Sequence, residues 1–329
     1  MKVVLRDLYR ELAVKVGTPI PDKLLEFAKA VGVDGIDIHY PDLIPGWRGY
    51  EREKYGPFLL NVKKKLQGYG LHINSTLIPA PRALLMGLPE ADEELQKFRD
   101  IIRCIGEASI PIADLDLNLD VNTFKWHRQV EQRGGYKMSA FNIRHMAEDV
   151  GVGEKDETYS PENLWDRRVR FYREIVPVAE EYDVNLALHP PDPPVPDHMI
   201  PGRIGLLDWN NLIWETPSRC NGVKYCVGTR YESGIDVLDE IRFLVKRGKI
   251  FNVHFRNVRG ALPRGGAYEE VLLDDGDMNM FKVITALHDA GYKGSLCPDH
   301  APEFRDDEPE RRIGRAYSVG YIKALISLL

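Results

Sequence analysis

Short apolar runs rich in β-type residues alternate with longer stretches of helical period along the whole chain. The runs are VVLRDL (3–8), GIDIHYP (35–41), GLHINSTLI (70–78), ADLDLNLD (113–120), VNLALHP (184–190), GVKYCVGT (222–229), IFNVHFRN (250–257) and GSLCPDH (294–300). Between them lie amphipathic segments such as 21–32, 163–183, 235–248 and 280–291. In these segments apolar residues recur at the three-to-four spacing of a helix with one buried face. Several end in a glycine just before the next run: Gly32, Gly248 and Gly291. Glycine stops a helix because it enters the left-handed conformation without a Cβ clash. Strand–helix alternation predicts a parallel sheet covered by helices. Eight such units in 329 residues predict one (β/α)8 TIM barrel, a single domain over 1–329. The first unit lacks the G-x-G-x-x-G turn that would argue for a dinucleotide-binding sheet.

Two connections are longer than such units need: 121–162 after the fourth strand and the Pro-rich 190–221 after the fifth. Both leave the carboxyl end of a strand, where a TIM barrel builds its active site. They are expected to act as lids or binding loops.

Composition narrows the class. The net charge of −6 argues against a nucleic-acid partner, because such domains are usually basic. No run of about 18 apolar residues is present, so no membrane span is expected. The N-terminal stretch interleaves charges with apolar residues, unlike a signal peptide. The four cysteines, Cys104, Cys220, Cys226 and Cys297, form no C-x-x-C pair and are too few for a disulfide framework. A cytoplasmic location with reduced thiols is the expectation.

Four of the strand ends carry metal-ligand residue types: His189, Cys226, His254 and Asp299, separated by 37, 28 and 45 residues. Each spacing is roughly one βα unit. Neighbouring strands lie about 4.8 Å apart, so side chains from consecutive ends can converge on one ion. Singly, each residue is ordinary: a histidine in a core, a small buried thiol, an aspartate in a turn. Two imidazoles, a thiolate and a carboxylate suit Mn2+, Fe2+, Co2+ or Zn2+ better than Mg2+ or Ca2+.

The neighbours of this set suit a polyhydroxy acid. Arg256, two residues beyond His254, is a candidate carboxylate clamp, with Asn257 beside it. His300 is a candidate general acid or base. Arg6 or Asp7 on the first strand, Asp37 and His39 on the second, Asn74 on the third, and Asn118 and Asp120 at the end of the fourth add polar groups. Trp126 and His127, in the loop that follows, are candidates to cover a substrate. A polar rim and loop anchors are the bland alternative for most of them.

At these residues the chain resembles the mannonate dehydratase family. The similarity is densest from about 160 to 300. It is carried by HPPDPP at 189–194, YCVGT at 225–229, VHFRNVRG at 253–260 and PDH at 298–300. The resemblance implies a TIM barrel whose Mn2+ or Fe2+ is held by His189, Cys226, His254 and Asp299. It also implies loss of water from a sugar acid, D-mannonate giving 2-keto-3-deoxy-D-gluconate, within hexuronate metabolism. Asp192 in the first motif then joins the substrate-binding group. His300 takes one proton-transfer role, and Tyr317 (or Tyr136) is the candidate for the other. The chain departs from the family pattern at Pro191, at Ala301 and at Arg312-Ile313, all at the substrate end. Two other readings stay open: a sugar isomerase or epimerase on a similar barrel, and a non-catalytic barrel that binds a sugar acid beside a metal. A homodimer is the default assembly.

Overall fold

The computed structural model describes residues 1–6, 20–38, 52–119, 127–149, 160–195, 206–307 and 311–329. Among them are twelve strands: β1 (Lys2–Arg6), β2 (Gly35–Ile38), β3 (His72–Ile78), β4 (Ile112–Leu115), β5 (Arg128–Glu131), β6 (Lys137–Asn142), β7 (Asn185–Leu188), β8 (Asn221–Cys226), β9 (Ile250–His254), β10 (Asn257–Arg259), β11 (Ala267–Val271) and β12 (Ser295–Cys297). Eight close into a parallel barrel in the order β1-β12-β9-β8-β7-β4-β3-β2. Each of the eight lies in one of the apolar runs, so the TIM barrel expected from the alternation is the fold observed.

The helices form where the sequence supplies both a face and an end. Ala91–Glu107 buries Leu95, Phe98, Ile101, Ile102 and Ile105 at three-to-four spacing and carries Asp92, Glu93 and Glu94 in its first turn. Acidic residues there favour the positive end of the helix dipole. Pro161–Glu181 starts on Ser160, whose side chain accepts from the Asn163 N–H, with proline at the first helical position. Val237–Val245 starts on Asp236, which accepts from the N–H groups of Leu238 and Asp239. Such caps each stabilise by about 1 kcal/mol. The helices pack their apolar faces on the outward side chains of the barrel, making one large core. No helix among the described residues is long and apolar enough to cross a membrane.

Strand register stacks the inward side chains in layers. Cys226 is the partner of His254, and His254 of Cys297. Two residues earlier, Lys224 pairs with Asn252 and Asn252 with Ser295. Residues paired in register point to the same face, and residues two apart do as well. The barrel therefore carries one polar layer at its carboxyl rim and another directly beneath it.

A second sheet, β10-β11-β6-β5, was not foreseen. All its pairings are antiparallel. β5 and β6 form a hairpin within the segment read as a long loop after the fourth strand. β10 and β11 come from the connection after β9, whose length was overlooked. The seventh apolar run was expected to be one strand through Asn257; it ends at His254 and restarts in the other sheet. The hairpin gives little signal because RQVE has a single apolar residue and lies mostly exposed. A small core of Phe141, Met146, Val195 and Tyr268 holds this sheet down. In it the rings of Phe141 and Tyr268 stack with centroids 5.6 Å apart.

Candidate active site

At the carboxyl rim, ligand atoms of His189, Cys226 and His254 all lie within 4.8 Å of one another. Atoms bound to one ion at about 2.0–2.3 Å are separated by up to about 4.6 Å, so a group of this size needs only a small adjustment to share an ion. His189 Nε2 stands 3.2 Å from His254 Nδ1. On its far side, His189 Nδ1 lies 2.7 Å from the Pro190 carbonyl oxygen. That carbonyl can only accept, so Nδ1 carries the hydrogen and the Nε2 lone pair faces inward, as in metal-ligating histidines. Burial holds both imidazoles below their usual pKa, so both are neutral and able to ligate. Burial also pushes the Cys226 thiol up, against the pull of Arg256. Ligation requires the thiolate, so binding of a metal through Cys226 would release that proton.

Asp299 borders this group at His254. Its Oδ1 is 3.2 Å from His254 Nδ1 and 2.7 Å from an Arg6 guanidinium nitrogen, and its Oδ2 is 3.2 Å from Arg256 Nε. Burial works against its charge, but Arg6, His254 and His300 together outweigh burial and keep the carboxyl well below the ordinary range. Its backbone is left-handed, with φ 62°. A non-glycine residue held there by its surroundings is the kind of local strain that gathers at functional sites.

Arg256 is the organising cation. Its Nη1 meets Glu232 at 2.5 Å, its Nη2 meets Asp192 at 2.8 Å and Thr229 Oγ1 at 2.7 Å, and its Nε donates to Cys226 Sγ at 3.2 Å. Glu270 lies 3.4 Å from Nη1. Gly228 makes room for it: a Cβ there would stand 2.6 Å from Nη1. The expectation of a substrate-carboxylate clamp is corrected here. Arg256 is buried and its donors are engaged by protein groups, so its geometry sets the thiol and Asp299 in place.

Beneath the rim lies the second polar layer. Asp114 accepts from Lys224 Nζ at 2.5 Å, Ser75 Oγ at 2.6 Å and Asn252 Nδ2 at 3.0 Å. Asn74 donates to Asp37 Oδ1 at 2.7 Å. Burial raises the Asp37 carboxyl to about 6, and Asp114 adds to the shift against the pull of Lys224.

The other expected residues divide. Arg6, Asp192 and His300 join the rim. Asp192 is bridged through Tyr268, whose hydroxyl is 3.1 Å from its Oδ1, to His127 Nε2 at 3.2 Å. Asn118 donates to Asp116 at the end of β4. Asn74 belongs to the lower layer. Asn257 is corrected: its amide donates to the carbonyls of Leu273 and Met278 and accepts from the N–H groups of Val258 and Met278, tying down a turn. Tyr317 is corrected as well. Its hydroxyl donates to Asp274 at 2.6 Å, and its ring packs with Tyr136, Met138, Leu272 and Phe304. Tyr136 donates to Asp275 in the same region. Asp7, His39, Asp120 and Trp126 lie outside the described residues. Sequence reasoning missed Glu232, Tyr268 and Glu270. The alternation of Tyr268 and Glu270 in AYEEV was the available signal for the latter two.

Fold and site together define a (β/α)8 barrel with a histidine–cysteine group at its carboxyl rim that can hold a metal ion. The family model described as D-mannonate dehydratase (UxuA) matches residues 128–329. The chain belongs to that family. Mannonate dehydratase 2 of Halalkalibacterium halodurans is 25% identical over 306 residues, covering 81% of this chain and 87% of that protein. The crystal structure of mannonate dehydratase from Streptococcus suis serotype 2 superposes with a TM-score of 0.80 at 28% identity, covering 99% of this chain and 93% of that one. An L-ribulose 3-epimerase superposes with a TM-score of 0.62 at 13% identity and shares the fold alone.

Proposed function

We propose that the protein is a metal-dependent hydro-lyase that removes water from D-mannonate to give 2-keto-3-deoxy-D-gluconate. The observation that carries this reading is the convergence of His189, Cys226 and His254 at the rim of a barrel of this family. With Asp299 they would hold a divalent ion, and the mixed nitrogen, sulfur and oxygen set favours Mn2+ or Fe2+. Bound there, the ion supplies Lewis-acid stabilisation of the charge that develops as the C2 proton leaves.

The chain's own groups supply the rest. His300 stands at the edge of the ligand group, its Nε2 3.9 Å from Asp299 Oδ2. Burial lowers its basicity, but Asp299 and Glu270 outweigh burial and raise its pKa. Its place beside Glu270 and at the edge of the ligand group suits His300 to protonating the departing C3 hydroxyl. A base takes the proton from C2, the C3 hydroxyl takes one from His300 and leaves as water, and the resulting enol rearranges to the 2-keto acid. Arg256, through its contacts to Cys226 and Asp299, holds two of the four proposed ligands in one geometry. Asp192, anchored by Arg256 and Tyr268, presents a carboxylate beside His127 at the substrate end.

The test is turnover of D-mannonate and its epimeric aldonates by metal-stripped protein reloaded with Mn2+ or Fe2+. A 2-keto-3-deoxy acid from D-mannonate in preference to the other acids is expected. An isomer of unchanged formula, or no product from any acid with metal bound, would overturn the reading.

A further inference from the structure

The second sheet does more than cover the rim. Along β11, Tyr268 and Glu270 are buried toward the site, while Glu269 points the other way to Gln132 and Arg259. This is the period-two alternation of a strand with one face on the barrel. It brings Glu270 Oε1 to 2.7 Å from His300 Nδ1. The other edge of the imidazole faces the ligand group.

We propose that Glu270 is a positioning residue for the dehydration, one that decides which nitrogen of His300 meets the substrate. The inference rests on the reading that His300 exchanges a proton with substrate. β12 ends at Cys297, so the backbone that carries His300 is no longer held in the barrel ladder. An imidazole in that setting can turn over and exchange its two nitrogens. A carboxylate can only accept, so its partner Nδ1 must carry the hydrogen. Nε2 is then the nitrogen left to give or take the substrate's proton.

Glu270 suits this task because it cannot itself swing away. β11 is paired on both edges, with β10 and with β6. The carboxylate is buried and lies 3.4 Å from Arg256 Nη1 as well as against His300. Turning it elsewhere would strand a buried charge, which costs far more than the contact itself. The same logic fixes the tautomer of the general-base histidine in hydrolases with a serine–histidine–aspartate triad, where loss of the carboxylate partner lowers turnover strongly.

The test uses Mn2+-loaded Glu270→Leu, Glu270→Gln and His300→Asn proteins, with metal content measured on each sample. Glu270→Leu should lose turnover on the order of 100-fold, with KM and metal content little changed. Glu270→Gln, whose amide oxygen still accepts from Nδ1–H, should fall between it and the parent. Long-range 15N–1H spectra of the Zn2+-loaded parent at alkaline pH should show the His300 hydrogen on Nδ1, the signal being assigned by its absence in His300→Asn. A parent His300 with its hydrogen on Nε2 would overturn the proposal even where Glu270→Leu fails to fold. So would parental turnover in Glu270→Leu alongside an inactive His300→Asn. Parental turnover in His300→Asn would instead overturn the underlying assignment of His300.

Discussion

Two polar layers sit one above the other inside this barrel and share the inward faces of β8 and β9. Cys226 lies two residues beyond Lys224, and His254 two beyond Asn252. In the lower layer charge is matched within the protein: Lys224 meets Asp114, and Ser75 and Asn252 complete the bonding of that carboxylate. In the upper layer two neutral imidazoles and a thiol turn their ligand atoms toward one another, and the Asp299 carboxylate joins His254. Lone pairs collected at one point are poor partners for each other and good partners for a cation. Burial alone therefore does not mark a site. The difference lies in the chemistry gathered at each level: an ammonium and a carboxylate that pair with each other below, and metal-ligand atoms that face one another above.

The largest expected effect comes from breaking the upper layer. His254→Ala or Cys226→Ser should weaken metal binding by about 1,000-fold, and turnover should fall with it, since each ligand carries a share of a binding energy of about 10 kcal/mol or more. Metal titration followed by elemental analysis and product assay checks both. The lower layer should answer differently. Lys224→Met strands the buried Asp114 carboxylate and should destabilise the fold by about 3–5 kcal/mol in denaturant melts. The molecules that remain folded should still bind metal.

A smaller effect sharpens the same contrast through pH. The Asp37 carboxyl, facing Asn74, Lys224 and Asp114, is raised to about 6 in the folded protein. Its unfolded value is about 3.9. The protonated form is thus favoured by folding, so its contribution is fully present below about pH 4 and is lost as pH rises to about 6. Asp37→Asn should gain about 1–3 kcal/mol relative to the parent above pH 6, with the gain vanishing toward pH 4. Melts across that window give the sign. The smallest effect belongs to Tyr317→Phe. Its hydroxyl serves Asp274, so the variant should lose about 1 kcal/mol of stability and keep turnover within about twofold.

The barrel was legible in the sequence because its strands are largely buried and read as short runs rich in apolar β-type residues, with helices of clear period between them. The upper layer was legible for a related reason. His189, Cys226 and His254 recur at one structural level of successive units, so the fold itself supplies their convergence. The second sheet was not legible. Its strands are short and half polar, and its two local pairs meet across more than a hundred residues, as Tyr268 does with Phe141. The roles of Arg256 and Asn257 depended on that sheet. An arginine two residues past a ligand suggests a substrate clamp, and only the positions of Glu232, Asp192 and Glu270 show that its donors are already taken. Tyr317 was misjudged for the same reason, because Asp274 belongs to the turn that leaves β11.

The measurement that tests the central claim most directly is a titration of metal-stripped protein with Mn2+, reading bound metal and 2-keto-3-deoxy acid formation from D-mannonate in the same samples. Turnover should rise in proportion to bound metal and level off at a single ion per chain. Full turnover in protein that holds no metal, or a filled site that never yields the keto acid, would contradict the account.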